Sequence, residues 1–196
     1  PPFGYVIDYM TYGGIYRDVR LEVKEKVSLS DIFVHTAIDF RSSPVTAQIT
    51  SEITLTESNG NVTIRQYYMP KSTAAWNLLC EQTVSADTNC DKEIALTAAI
   101  TDPLLWDTEE ANLYILKTQL YQDNTLLDET ETTFGIREAV FKKDGFYLNG
   151  KKLRIRGLNR HQSYPYVGYA MPESMQRLDA DLLKKELGLN AVRTSH

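Results

Sequence analysis

Hydrophobic and polar positions alternate with period two through the middle of this chain. Ile32, Val34, Thr36, Ile38 and Phe40 interleave with Phe33, His35, Ala37 and Asp39. Val45, Ala47, Ile49, Ser51, Ile53 and Leu55 keep the same phase over a longer run, and Ser58-Asn59-Gly60-Asn61 reads as a turn before Val62, Ile64 and Gln66 resume it. Ile94, Leu96, Ala98 and Ile100 follow, then Tyr114, Leu116, Thr118 and Leu120. Asp123-Asn124 breaks that run, and a last strand carries Leu127 through Phe134. Alternation of this kind marks strands with one face in a core. About seven such strands in about 110 residues, with turn signals every 8–12 residues, predict an immunoglobulin-like β-sandwich over residues 27–138.

The flanks differ. Before the sandwich, Val19, Leu21 and Val23 alternate with charged residues and predict one strand with a buried face. About 25 residues cannot build a core alone, so residues 1–26 read as the end of another domain. After the sandwich the period changes. Asn149-Gly150 predicts a hairpin turn, followed by a strand from Leu153 to Leu158 and a loop from Asn159 to Tyr169. Residues 173–187 predict a helix, with Met175, Leu178, Leu182 and Leu183 on one face. Pro172 and Glu173 suit its start, Lys184 and Lys185 its last turn, and Gly188 its end. A buried strand, Leu189 to Thr194, closes the pattern. Two strands joined by a crossover helix are expected to be parallel, so residues 139–196 read as one βαβ unit. Alone, it would expose both faces of its sheet, and it is expected to be poorly ordered or packed against another chain.

Composition narrows the picture without deciding it. The chain has 196 residues, 42% of them hydrophobic, enough for one full domain and part of another. A net charge of -5 disfavours nucleic acid or an anionic membrane as the main partner. No apolar run approaches the ~20 residues of a membrane span. Cys80 and Cys90 fit no zinc or redox spacing. They read as two free thiols, which leans toward a cytosolic protein, with a bridge between neighbouring strands as the alternative. The chain opens Pro1-Pro2-Phe3-Gly4-Tyr5 without an initiating Met, as expected of an internal stretch of a longer protein.

The candidate chemistry lies at strand ends. In parallel α/β units, functional groups gather at the carboxyl ends of strands. His161 lies just past one such end and His196 at the other, with Arg193 nearby. Neighbouring strands lie ~5 Å apart and would set both imidazoles on one rim. Imidazoles give or accept hydrogen bonds and a guanidinium grips a carboxylate, a set suited to hydroxyl and carboxylate recognition. Exposed loop histidines are the bland alternative. Tyr164, Tyr166 and Tyr169 offer either sugar-facing rings or packing against the sandwich. Trp76 and Trp106 read as packing residues, and His35 as structural or solvated. Glu109, Glu110, Asp179 and Asp181 read as solvated charges, so the rim shows no carboxylate pair for glycoside hydrolysis.

Asn190-Ala191-Val192-Arg193-Thr194-Ser195-His196 resembles the Asn-x-x-Arg-(small)-(small)-His signature of glycoside hydrolase family 2. Gly157-Leu158-Asn159-Arg160-His161 resembles the Gly-Val-Asn-Arg-His stretch of that family's β-galactosidases, and Asn149-Gly150-Lys151-Lys152-Leu153 the hairpin before it. Phe134 to Glu138, Pro103 to Trp106 with Asn112-Leu113-Tyr114, and Gly13 to Val19 resemble further family elements in the same order. The resemblance implies a mainly β chain in three pieces. These are the end of a sugar-binding jelly roll (1–26), an immunoglobulin-like sandwich (27–138) and the first βαβ unit of a catalytic (β/α)8 TIM barrel (139–196). It implies part of a retaining exo-β-glycosidase, with both catalytic glutamates on later barrel strands and no catalytic residue in this stretch.

By the same resemblance His161 and His196 bind substrate hydroxyls, and Arg193 positions the catalytic carboxylates. Asn190 matches a structural signature position. No cofactor or metal ligand is expected in this stretch, and the resemblance leaves magnesium open for the longer protein. A terminal β-galactoside is the implied carbohydrate partner, and a homo-oligomer is left open. Arg160 favours the galactosidase branch, because glucuronidase-like members often carry Lys there. Gln162-Ser163-Tyr164 departs from the Glu-His-His of some β-galactosidases, which leaves this loop no assigned metal contact. A β-glucuronidase or other family 2 glycosidase is the alternative within the class, and a non-catalytic sugar- or protein-binding sandwich the alternative outside it.

Overall fold

A computed structural model of the chain describes residues 13–56, 60–85 and 91–194. His196, Cys90 and the Ser58-Asn59 part of the predicted turn lie outside the described residues. The chain divides into two compact units, one from Val23 to Leu153 and the other joining the residues up to Glu22 with those from Arg154 onward.

The first unit is the sandwich. One sheet has the order β1 (Leu29–Asp39), β2 (Thr46–Leu55), β5 (Lys92–Thr101). The other has the order β4 (Asn77–Ser85), β3 (Asn61–Pro70), β6 (Tyr114–Gln122), β7 (Thr125–Phe134). All neighbours are antiparallel. The residues whose alternation predicts the strands supply the core. At one end Leu29, Ile53, Leu55, Val62, Ile64, Ile94, Leu96 and Leu120 pack together. At the other, Ala47, Ile49, Ile100, Tyr114, Leu116, Phe134 and Ile136 do so. Each large side chain withdrawn from water is worth about 1.5–3 kcal/mol.

A polar tie crosses the core. Ser51 Oγ on β2 donates to Gln66 Oε1 on β3 at 3.1 Å, and Gln66 Nε2 donates to Thr118 Oγ1 on β6 at 3.1 Å. All three residues are buried, and each bond satisfies groups that would otherwise be stranded. Cys80 is a free thiol that donates to the same Gln66 oxygen at 3.4 Å, and burial pushes its pKa up. At the start of β6 the buried Tyr114 hydroxyl accepts from the backbone N–H of Leu104 at 2.7 Å, pinning the connection ten residues upstream. This placement resembles the tyrosine corner of immunoglobulin-like sandwiches.

Turn chemistry is equally direct. Asp123 and Asn124 between β6 and β7 both have positive φ (48° and 64°), as a type I′ hairpin requires. Asn149 and Gly150 do the same (49° and 74°). Their hairpin belongs to a small sheet of β8 (Ala139–Lys142), β9 (Gly145–Leu148) and β10 (Lys151–Leu153), which forms part of the compact unit of the sandwich. Asn149 explains the attachment. Its side chain accepts from Glu138 N–H at 2.9 Å and donates to Trp106 O at 3.0 Å. Trp106 is a packing residue, set against Gly135 with the Arg137 guanidinium over its ring.

One sequence expectation is corrected. Residues 13–27 contain no strand, and Val19 and Leu21 are 79% and 92% exposed. Alternation prepares one face for burial, but a strand also needs a neighbour for its N–H and C=O groups. No described residue pairs with this segment.

Candidate functional site

The second unit is a short strand, a loop, a helix and a second strand. β11 (Gly157–Arg160) and β12 (Ala191–Thr194) are parallel neighbours, with Gly157 opposite Ala191, Leu158 opposite Val192, Asn159 opposite Arg193 and Arg160 opposite Thr194. The predicted strand from Leu153 to Leu158 therefore starts later. Asn190 accounts for this. Its side chain accepts from Arg156 N–H at 2.8 Å and donates to Arg154 O at 3.0 Å, while the backbone N–H groups of Asn190 and Ala191 both donate to Arg156 O. These bonds hold residues 154–156 against the start of β12 before the ladder begins. Gly157 lets the strands approach: a Cβ there would lie 2.5 Å from the carbonyl oxygen of Ala191.

The predicted helix forms in two parts, α1 (Glu173–Asp181) and a π-helical turn at Leu182–Glu186, with Leu187 N–H donating to Leu182 O. Gly188 ends it at φ +61°. Its apolar face is not buried: Leu178 is 50% exposed, and no helical residue is fully covered. The tie to β11 is polar instead. Arg160 donates from Nε and Nη2 to Asp179 Oδ2 at 3.0 and 2.7 Å, and Nη2 also reaches Gln176 Oε1 at 2.6 Å and Met171 Sδ at 3.5 Å. Asp179 is thus no solvated charge, as its place on the polar side of the helix suggests; it is a half-buried partner of Arg160. Asp181 pairs with Lys185 at the surface at 2.8 Å.

This arrangement places the candidate residues. Arg160 reaches the helix, so its strand neighbour Asn159 points to the other side by the period of two. Arg193, opposite Asn159, shares that side and is exposed. His161 is half-buried and directly follows β11. Asn159 is the residue the sequence reading leaves unassigned, and only the register puts it beside Arg193. In the loop, Tyr164 and Gly168 exchange backbone hydrogen bonds at 3.2 and 2.9 Å. Between them Tyr166 sits at positive φ with its ring fully exposed. Tyr169 packs on Tyr16, ring centroids 5.8 Å apart, and Arg17 donates to Tyr169 O at 2.6 Å. Beside this contact lies a cleft of about 590 Å³ lined by Arg17, Arg20, Gln162, Glu173 and Gln176.

Chemically the site can bind hydroxyl and carboxylate groups through imidazole, amide and guanidinium. Neither strand nor the loop from His161 to Pro172 carries a carboxylate. Among the described residues, no group of three or more His, Cys, Asp or Glu is placed to hold a metal ion.

The model of glycosyl hydrolases family 2 matches residues 27–137, and that of the family's TIM barrel domain matches residues 139–196. The chain is 44% identical to a beta-galactosidase of Thermoanaerobacterium thermosulfurigenes, over 100% of this chain and 27% of that protein. It is 29% identical to a beta-glucuronidase of Bacteroides fragilis, over 96% of this chain and 28% of that protein. The solved structure of Bacteroides uniformis beta-glucuronidase superposes with a TM-score of 0.81 at 27% identity, covering 98% of this chain and 24% of that one. The chain thus spans about a quarter of the length of the relatives it matches.

Proposed function

The chain belongs to glycosyl hydrolase family 2, and we propose that it forms part of a retaining exo-β-glycosidase that removes terminal β-D-galactosides. In this reading residues 27–138 are scaffold, and residues 139–196 open the catalytic barrel. His161 and His196 bind sugar hydroxyls, and Arg193 steadies a carboxylate supplied by another part of the protein. The observation that carries the reading is the parallel β11–β12 pair, which brings the family signature around Arg193 beside the strand that leads into His161. The identity to the Thermoanaerobacterium beta-galactosidase supports galactose as the sugar.

A β-glucuronide is the second reading, supported by the Bacteroides uniformis likeness. Assaying the longer protein on p-nitrophenyl β-galactoside and β-glucuronide tests the proposal. Galactoside turnover with retained anomeric configuration is expected. Turnover of the glucuronide alone sinks the galactosidase reading. The 196 residues by themselves are expected to turn over neither, because retaining hydrolysis needs two carboxyl groups beside the bond.

A further inference from the structure

We infer that Arg160 is a positioning residue, which ties the carboxyl end of β11 to α1 and thereby fixes the direction in which His161 leaves the strand. This rests on the reading of His161 as a sugar ligand. β11 has four residues and pairs with β12. Arg160 is the last residue of that ladder. Its fork makes two bonds to one Asp179 oxygen and further contacts to Gln176 and Met171. Such a planar, multiply bonded guanidinium sets an orientation, where the ammonium of a lysine acts as a point charge.

Gln176 strengthens the case. Its oxygen is turned to Arg160 although its buried Nε2 then has no partner among the described residues. An unpaired buried N–H is costly, so the arrangement favours the contact to Arg160 over full satisfaction of the amide. With this clamp released, the end of the strand that leads into His161 loses its fixed direction, and displacements of 1 Å can slow an enzyme about 100-fold.

The test is a double-mutant cycle in the longer protein, reading kcat, KM and Tm on p-nitrophenyl β-galactoside. His161→Ala is expected to lower kcat/KM about 100-fold, and Arg160→Met at least about 10-fold. The double variant should be no slower than His161→Ala alone, because residues acting through one another are not additive. Arg160→Lys should recover part of the loss. If Arg160→Met does not fold, Asp179→Asn replaces it in the same cycle. Effects that multiply, or a lowered Tm with kcat/KM of the folded protein unchanged, overturn the positioning role and leave the sugar-site reading intact. Wild-type kcat/KM in His161→Ala removes the sugar-site reading itself, and this inference with it.

Discussion

The sandwich and the strand–helix–strand unit hold together by different means. In the sandwich, alternating side chains from two sheets fill two clusters, and most of their members are 0–4% exposed. The tie through Gln66 adds order to a core that is already closed. In the other unit Leu158, Leu178, Leu187 and Val192 are about half exposed, and among the described residues Met171 is the buried hydrophobic one. What orders it is a set of single contacts: Asn190 on residues 154–156, Gly157 against Ala191, and Arg160 on Asp179. The scaffold is therefore expected to tolerate the loss of any one polar contact better than the unit that carries the candidate chemistry.

The largest test of this contrast compares two leucines. Leu116 is 0% exposed and Leu182 is 38% exposed. Leu116→Ala should cost about 2–5 kcal/mol in urea unfolding of the sandwich, through lost burial and the cavity left behind. Leu182→Ala should change that transition by less than about 0.5 kcal/mol, as surface substitutions do. Equal losses would mean that the two units share one core and that the contrast is false.

How much of this was legible in the chain follows the same division. Ala47, Ile49, Ser51, Ile53 and Leu55 announce β2 because one buried face imposes a period of two. β4 is an edge strand whose residues are mostly exposed, so Asn77–Ser85 shows no clear alternation and gives no signal. Ser51, Gln66 and Thr118 occupy inward positions by phase, but their mutual bonds depend on how two sheets face each other. Arg160 and Asp179 are 19 residues apart and match no local spacing rule, so the pair emerges only once strand and helix are placed. Asn190 is readable as a structural signature position, while its reach to Arg154 and Arg156 is not. The segment with Val19 and Leu21 shows the reverse case, a strand pattern without a paired neighbour.

A second test acts on the open unit alone. In Gly157→Ala the new methyl group would meet the Ala191 carbonyl oxygen at 2.5 Å, and the backbone must move. Forced insertions of this kind cost about 1–3 kcal/mol. Amide exchange should accelerate at residues 157–160 and 191–194 while the buried amides of β2, β3 and β6 keep their protection. Accelerated exchange throughout the sandwich would show that the two units unfold together.

The smallest expected effect lies on the small sheet that the sandwich unit includes. The Tyr147 hydroxyl donates to Asp144 Oδ2 at 2.7 Å and Lys152 Nζ reaches the same oxygen at 3.1 Å. The Tyr147 bond, then the Lys152 bond, hold the Asp144 pKa below its usual range. A carboxyl group with a depressed folded-state pKa adds stability above its unfolded value of about 3.9, and that addition is lost as pH falls through the folded value. Wild type should therefore exceed Asp144→Asn in stability at pH 6, and the gap should close as pH falls below about 4. Asp144 is exposed, so salt should narrow the gap at pH 6 as well. A gap that widens on acidification would contradict the sign of the shift. A gap that persists unchanged at low pH would assign it to the hydrogen-bond geometry of the hairpin rather than to charge.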